Sequence, residues 1–204
     1  YQPIVAMRNL AGRRYEALLR LRAPDGEYIP TFDFLPIAHA RGLMPRIDRW
    51  VMEHALDRLR YERRQRQRGL RFFVHQTMES AASDGWVAWL RDQIAERDLI
   101  KVRPLIQFQV QDVMDHRDLA LERARELHRL GIRICLIQFE ENHDAQVLIK
   151  EMSVSMVKLS METIKKASPG ELTSLVAGLH AHKTAVIAPG IDGPSSIAHL
   201  WGCG

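Results

Sequence analysis

Apolar segments rich in β-branched or aromatic residues alternate with amphipathic segments along the chain of 204 residues. The apolar segments predict strands, and the amphipathic segments predict helices. The predicted strands are 2–7, 13–21, 71–76, 104–110, 132–139, 153–159 and 184–188. The predicted helices are 33–42, 47–66, 81–97, 116–130, 143–151 and 169–182. Helices placed between strands favour parallel pairing, so the sequence predicts an α/β fold.

The number of predicted strands distinguishes two α/β architectures. A chain that reaches its seventh strand just before it stops at Gly204 is expected to be a barrel of about eight strands that lacks its last one. The alternative, an open doubly wound sheet, usually carries a glycine-rich phosphate loop after its first strand, and the sequence has none there. We therefore expect a (β/α) barrel, with its chemistry at the C-terminal ends of the strands.

Composition places the chain among globular proteins. With 46% hydrophobic and 26% charged residues, the length suits one domain with a sizeable core. No apolar run approaches the roughly 18 residues that a membrane span needs. The chain begins without methionine inside a predicted strand, so we expect it to be a piece of a longer protein. Its two cysteines suit a reducing cytosol, and we expect a cytoplasmic protein that does not contact a membrane.

An arginine-rich segment carries most of the net charge of +4. Between Leu56 and Arg71 the sequence has seven arginines against Asp57 and Glu62. Such a run is typical of the solvated end of a helix and the turn that follows. A polyphosphate or RNA contact is the alternative, but Tyr61 is the only aromatic residue in the run that could stack on a base. A partner of the nucleic-acid polymer class is therefore not expected.

Three segments carry a resemblance to a known family. Residues 15–22 read Tyr-Glu-Ala-Leu-Leu-Arg-Leu-Arg, residues 1–5 read Tyr-Gln-Pro-Ile-Val, and residues 47–51 read Ile-Asp-Arg-Trp-Val. In order and spacing they resemble the EAL domain family, whose members bind the bacterial messenger cyclic di-GMP. The resemblance covers essentially the whole chain, so we expect 1–204 to be a single EAL domain excised from a longer multidomain protein. It implies a TIM-like (β/α) barrel of the EAL type, with the final strand missing from this copy.

The family's metal-binding positions are largely replaced. Members that hydrolyse the messenger hold two divalent ions with carboxylates and an asparagine, and of these the resemblance leaves Glu16 in place. The replacements are His75 for the asparagine, Gln109 and Pro189 for glutamates, and Ile137, Gln138 and Ser160 for aspartates. Neutral side chains cannot offset two dications, which prefer charged oxygen ligands. The sequence therefore predicts a degenerate phosphodiesterase without metal, catalytic residues or activity.

The positions that the resemblance assigns to the messenger are better preserved. They are Gln2, Leu18, Arg20, Pro36, Asp48, Lys158, Gly190 and Asp192. A guanidinium at Arg20 can donate two hydrogen bonds to one phosphate, and Lys158 can neutralise phosphate charge. Asp48 can accept from the N–H groups of a guanine edge. Because Arg20 and Lys158 supply two positive charges to a ligand with two negative charges, binding is expected to need no divalent ion.

Five of these assignments have a plainer alternative. Arg20 can be part of a surface ion pair, and Leu18 can belong to the core. Asp48 can be a helix-start charge near the macrodipole. Pro36 can shape a helix, and Gly190 can serve a turn.

Two motifs narrow the expected role. Leu-Leu-Arg at 18–20 and Ile-Asp-Arg-Trp at 47–50 are most similar to receptor-type members that work in type IV pilus control through a PilZ-domain partner. We therefore expect a cyclic di-GMP receptor that signals to a protein partner in motility or biofilm control. An interaction module that no longer binds nucleotide is the alternative. An active phosphodiesterase is disfavoured by the lost metal ligands.

Overall fold

The structure is a computed structural model that describes residues 1–6, 12–65 and 69–190. The chain divides into two compact units, Tyr1–Ile106 and Gln107–Gly204. The main sheet has its strands in the order β1-β2-β5-β6-β7-β8-β9, and a separate pair is formed by β3 and β4. The bounds of these strands are β1 Gln2–Ile4, β2 Arg14–Ala17, β3 Leu21–Arg22, β4 Tyr28–Ile29, β5 Arg71–His75, β6 Leu105–Gln109, β7 Arg133–Phe139, β8 Met156–Leu159 and β9 Ala185–Ile187.

Helices follow the strands of the main sheet. In the first unit they are α1 Thr31–Ala40, α2 Met44–Arg64, α3 Met78–Ala81 and α4 Trp86–Glu96. In the second unit they are α5 Val110–Asp115, α6 Arg117–Arg129, α7 His143–Glu151, α8 Met161–Lys166 and α9 Pro169–Ala181. All seven predicted strands are therefore confirmed with shorter bounds, and the α/β alternation is confirmed with them. Predicted strand 13–21 stops at Ala17, so the segment that carries Leu18 and Arg20 is a connection rather than a strand.

Pairing within the first unit fixes which residues share a face of the sheet. β1 runs antiparallel to β2, with Gln2 opposite Glu16. β2 runs parallel to β5, with Glu16 opposite Phe73. Side chains of directly paired residues lie on the same face, and so do those of residues two apart on one strand. Gln2, Glu16 and His75 thus belong to one face of this part of the sheet.

In the second unit the parallel pairs are β7 with β8 and β8 with β9. The β7–β8 register shifts between Leu136 and Phe139. Gln138 lies inside this bulge with φ of 54°, in the left-handed region. A bulge of this kind changes the direction of the side chain at its centre.

Helix caps follow local chemistry. Ser168 caps α9, its hydroxyl accepts from the N–H of Glu171, and Pro169 occupies the first turn. This capping box confirms the predicted start of that helix. The helix predicted at 33–42 begins two residues earlier, because α1 starts after Pro30. Asp33 lies in its first turn, where a negative charge interacts favourably with the helix dipole.

The core is formed by the strands and the helix faces that cover them. Phe73 in β5, Phe108 in β6 and Phe139 in β7 are fully buried. Leu56 and Leu59 of α2 are buried as well. Burying a large apolar side chain contributes about 1.5–3 kcal/mol, so these residues are among the main sources of stability. The expected absence of a final strand concerns the residues after Gly190, which lie outside the described residues.

Candidate ligand-binding site

Glu16 is the retained acidic residue of the first unit. It lies in β2 between β1 and β5, and 7% of its surface is exposed. His75, the replacement for the expected asparagine, is on the last position of β5 and shares the face of Glu16. Among the described residues, no group of three or more His, Cys, Asp or Glu side chains is placed to hold a metal ion. The described part of this face therefore offers one carboxylate and one imidazole.

Leu18 and Arg20 lie in the connection between β2 and β3. Leu18 is 37% exposed, so the alternative that it belongs to the core is wrong. Arg20 is exposed, and its Nη1 donates to the carbonyl of Leu19 at 3.2 Å. Its guanidinium forms no ion pair with any residue in the described part of the chain. Most of the donors of Arg20 are therefore available to a ligand.

Gln2 and Pro36 are also accessible. Gln2 is exposed in β1, beside Glu16. Pro36 is an exposed residue in the middle of α1, a helix that also exposes Phe32 and Ile37. A proline ring and neighbouring apolar side chains at a surface offer a flat apolar contact of the kind that a nucleobase can pack against.

Asp48 is 4% exposed on α2 and is held by a hydrogen-bond network. Its Oδ2 accepts from the backbone N–H of Thr77 at 2.7 Å, from the Thr77 hydroxyl at 2.8 Å and from the Ser80 hydroxyl at 2.6 Å. Its Oδ1 makes no hydrogen bond within the described residues. The helix-start reading of this charge is wrong, because Asp48 is beyond the first turn of α2. The network fixes the orientation of the carboxylate.

Gln76 completes this network. It is fully buried, and its Nε2 donates to the carbonyls of Asp48 at 3.0 Å and of His75 at 2.7 Å. Its Oε1 has no hydrogen-bond partner among the described residues. The sequence interpretation missed Gln76, Thr77 and Ser80 as a group. The available signal was a polar run directly after a buried strand, with Thr77 three residues before Ser80 as in a helix N-cap.

Two amides meet at the strand ends of the second unit. Gln109, the last residue of β6, donates from Nε2 to Oε1 of Gln138 at 2.6 Å. The bulge in β7 directs the exposed side chain of Gln138 to this partner. Ser160 is also engaged, since its Oγ accepts from the N–H of Thr163 at 2.9 Å and caps α8. These three positions present neutral groups that bond to the protein itself.

Lys158 and Gly190 occupy the next strand ends of the second unit. Lys158 is half-buried on β8, opposite Ile187 of β9. Gly190 has φ of 72°, which favours glycine. A β-carbon at Gly190 would lie 2.5 Å from Cε and 2.6 Å from Sδ of Met161. The backbone angle therefore favours glycine, whereas the exposed end of the Met161 side chain is flexible and can move aside. Asp192 lies outside the described residues.

A search of the described helices for a membrane span finds none that is sufficiently long and apolar.

The amino-acid sequence is similar to a known domain family and to several longer proteins. A family model described as the EAL domain matches residues 1–204. An uncharacterised 76.5 kDa protein of Thiocystis violacea is 34% identical over 203 residues, which are 100% of this chain and 29% of that protein. The cyclic di-GMP phosphodiesterase PdeF of Escherichia coli is 23% identical over 181 residues, covering 89% of this chain and 24% of PdeF. The chain therefore spans less than a third of the length of these relatives.

Solved structures agree with the family match. The crystal structure of the FimX EAL domain from Pseudomonas aeruginosa bound to c-di-GMP has a TM-score of 0.89 and 25% sequence identity to this chain. It covers 100% of this chain and 83% of the FimX chain. The predicted TIM-like fold of the EAL type is confirmed by these matches. From its strand order, its sequence match and its likeness to solved structures, the chain belongs to the EAL domain family.

Proposed function

We propose that this chain is a catalytically silent EAL domain that binds cyclic di-GMP and passes its occupancy to a protein partner. The observation that carries the proposal is the Gln109–Gln138 hydrogen bond of 2.6 Å. It joins two neutral amides at positions where the family resemblance implies metal-binding carboxylates. An amide pair supplies no negative charge to hold a divalent ion, so these two residues do not favour a two-metal centre.

Hydrolysis of a phosphodiester needs a strong nucleophile and charge stabilisation. In a two-metal site the ions supply both, because they acidify a bound water and stabilise the attacking and leaving oxygens. Glu16 alone can hold a proton or one charge, and His75 is a neutral or cationic neighbour rather than a further acid. General acid–base groups alone contribute about a hundredfold to ten-thousandfold, far less than an inert diester requires.

Binding of the messenger is supported by the c-di-GMP-bound FimX domain and by accessible side chains in each unit. In the first unit Arg20 offers unpaired guanidinium donors to a phosphate. The network around Asp48 leaves Oδ1 as the acceptor for a guanine N–H, so Thr77 and Ser80 are positioning residues for that acceptor. Gln2, Leu18 and Pro36 complete the proposed contacts of this unit.

We propose that the second unit contributes a positive charge and a stretch of backbone that the ligand can approach closely. The ammonium group of Lys158 neutralises phosphate charge, and the missing β-carbon at Gly190 lets a neighbouring group approach its backbone. Asp192 remains a proposed contact on sequence alone. With these cations replacing the metals, we propose that binding needs no divalent ion.

The proposed role in the cell is based on the structural similarity to the FimX EAL domain. We propose a protein partner, of the PilZ-domain class, through which the domain controls type IV pilus motility or biofilm formation in the cytoplasm. Because the relatives are much longer than this chain, we also propose that residues 1–204 act as one degenerate EAL domain within a longer multidomain protein.

A second candidate is an interaction module that has lost the nucleotide. Met161 favours it, since its side chain fills the space directly against Gly190. Calorimetric titration with cyclic di-GMP, in Mg²⁺ and in EDTA, tests both candidates, and chromatography of the same mixtures detects hydrolysis. We expect binding in both buffers and an intact dinucleotide. Absence of binding in both buffers would favour the interaction module. Formation of a linear dinucleotide would show that the chain is an active phosphodiesterase.

A further inference from the structure

A cleft in the first unit lies outside the residues proposed for cyclic di-GMP. Its volume is about 290 Å³, and it is formed by the C-terminal ends of α2 and α4. We name it the arginine cleft, after the four arginines among its lining residues. The lining residues are Arg60, Arg63, Arg64, Glu96, Arg97 and Asp98.

Two of these arginines are held in place by the protein. Nε of Arg97 lies 2.7 Å from Oδ1 of Asp57, and its Nη1 donates to Oε1 of Gln93 at 2.7 Å. Nη1 of Arg63 lies 2.9 Å from Oδ2 of Asp98. Each guanidinium has five N–H donors, so both arginines retain donors beyond these contacts. Pinned side chains lose less conformational entropy when a ligand binds.

The other two arginines have no such partner. The side chains of Arg60 and Arg64 form no hydrogen bond or ion pair with the residues that the structure describes. They are four residues apart on α2, a spacing that brings their β-carbons to about 5–6 Å on one helix face. Glu96 also lines the cleft, but it accepts from Nε2 of Gln93 at 3.1 Å, and Asp98 is already paired. The arginines outnumber the acids, so the cleft favours an anion.

We propose that the arginine cleft binds an oligophosphate, either free or as the phosphate chain of a nucleotide. Successive phosphoryl groups present oxygens in several directions, so one chain can accept from both unpaired guanidinium groups at once. A single carboxylate carries one negative charge, whereas an oligophosphate carries several and offers more acceptor oxygens. No aromatic side chain is found among the described lining residues, so the phosphate chain is the part of the ligand that these residues contact.

This site is independent of the proposed function. Cyclic di-GMP carries two diester phosphates separated by riboses, each with one charge, and does not offer a continuous oligophosphate. The residues of the arginine cleft also differ from those proposed for the messenger. Loss of one binding activity is therefore not expected to remove the other.

The test is calorimetric titration of the whole chain with inorganic triphosphate, at low and at high salt, without divalent ions. The test variants are Arg60→Gln/Arg64→Gln and the single exposed change Arg64→Glu. The matched control is Arg41→Gln/Arg46→Gln, which removes the same charge from exposed positions outside the cleft. Circular dichroism checks that each variant is folded.

We expect triphosphate to bind the wild type and the control alike, and to bind the two cleft variants about tenfold or more weakly. Equal affinity for ATP would identify the phosphate chain as the whole ligand, and tighter binding of ATP would identify a nucleotide as its source. The proposal is overturned if triphosphate does not bind, or if the control loses as much affinity as the cleft variants. It is also overturned if a glutamate-rich peptide binds the cleft more tightly than triphosphate, since that would identify a protein-docking site.

Discussion

The two units treat their polar strand ends differently. In the first unit, Glu16 and Asp48 are retained carboxylates, both buried, and Asp48 is bonded to Thr77 and Ser80. In the second unit, Gln109 and Gln138 are neutral and bond to each other at a partly exposed position. The difference teaches that the fold orients a buried carboxylate with three hydrogen bonds in the first unit, whereas two neutral amides satisfy each other in the second, at positions where the family resemblance implies metal-binding carboxylates.

The largest effect expected from this contrast concerns hydrolysis. Because neutral Gln109 and Gln138 stand where the family resemblance implies metal-binding carboxylates, the chain with Mg²⁺ or Mn²⁺ should leave cyclic di-GMP intact, without the rate enhancement of about a million-fold or more that enzymes provide. Chromatography of the incubated dinucleotide provides the measurement. Steady release of a linear dinucleotide, abolished by Glu16→Ala, would mean that the chain supports catalysis despite the neutral Gln109–Gln138 pair.

The next prediction compares how much the Asp48 network and the Gln109–Gln138 pair contribute to the free energy of unfolding. Asp48→Ala leaves three donors without their acceptor, so it should lower the free energy of unfolding by about 3 kcal/mol. Gln109→Ala removes one neutral hydrogen bond at a partly exposed position and should cost about 1 kcal/mol or less. Urea unfolding of both variants provides the comparison. Equal losses would show that the Asp48 network is no more important to folding than the amide pair.

A smaller effect is expected at the phosphate contact of the first unit. Arg20→Ala should weaken cyclic di-GMP binding by about tenfold to a hundredfold, because it removes a charge-assisted hydrogen bond of about 1.5–3 kcal/mol. Calorimetry measures the affinity. Arg22→Ala is the matched control, since Arg22 is exposed and donates from Nε to the carbonyl of Gly26. An unchanged affinity in the Arg20 variant would place the ligand elsewhere.

The smallest effect expected is that of divalent ions on affinity. The dissociation constant should differ by no more than about twofold between EDTA and Mg²⁺, because Arg20 and Lys158 supply positive charge in their own units. It should rise with salt, since part of the attraction is screened. A collapse of affinity on chelation would reveal a metal site, and Glu16 and His75 would be the first residues to substitute.

Much of the fold was predictable because it depends on local patterns. The predicted strands 71–76 and 132–139 contain the short apolar runs 72–74 and 134–137, which are typical of strands in a parallel sheet that is covered on both faces. The Ser168 capping box depends on residues three apart, so the sequence specifies it directly. The hairpin of β3 and β4 and the short helices α3, α5 and α8 were missed, because segments of two to six residues have too little periodicity to detect.

The candidate site was predictable only as a set of positions. The family resemblance identified Arg20 and Asp48 as candidate ligand contacts. It did not predict whether their side chains are exposed or which residues they bond to. The Asp48 network joins residues about 30 positions apart, and no local pattern encodes such a contact. Arg60 and Arg64 were read as a solvated helix end, because the cleft beside them exists only after α4 packs near α2.

The sequence by itself determined the family, the alternation of strands and helices, and the replacement of acidic groups by neutral ones. These are properties of residue type and spacing, which the chain carries whether or not it is folded. Only the tertiary structure decided that Gln109 bonds to Gln138, that Asp48 is buried and oriented, and that Leu18 and Arg20 face solvent. Those outcomes depend on which distant segments meet, because burial and hydrogen bonding are set by the packing of strands and helices against one another.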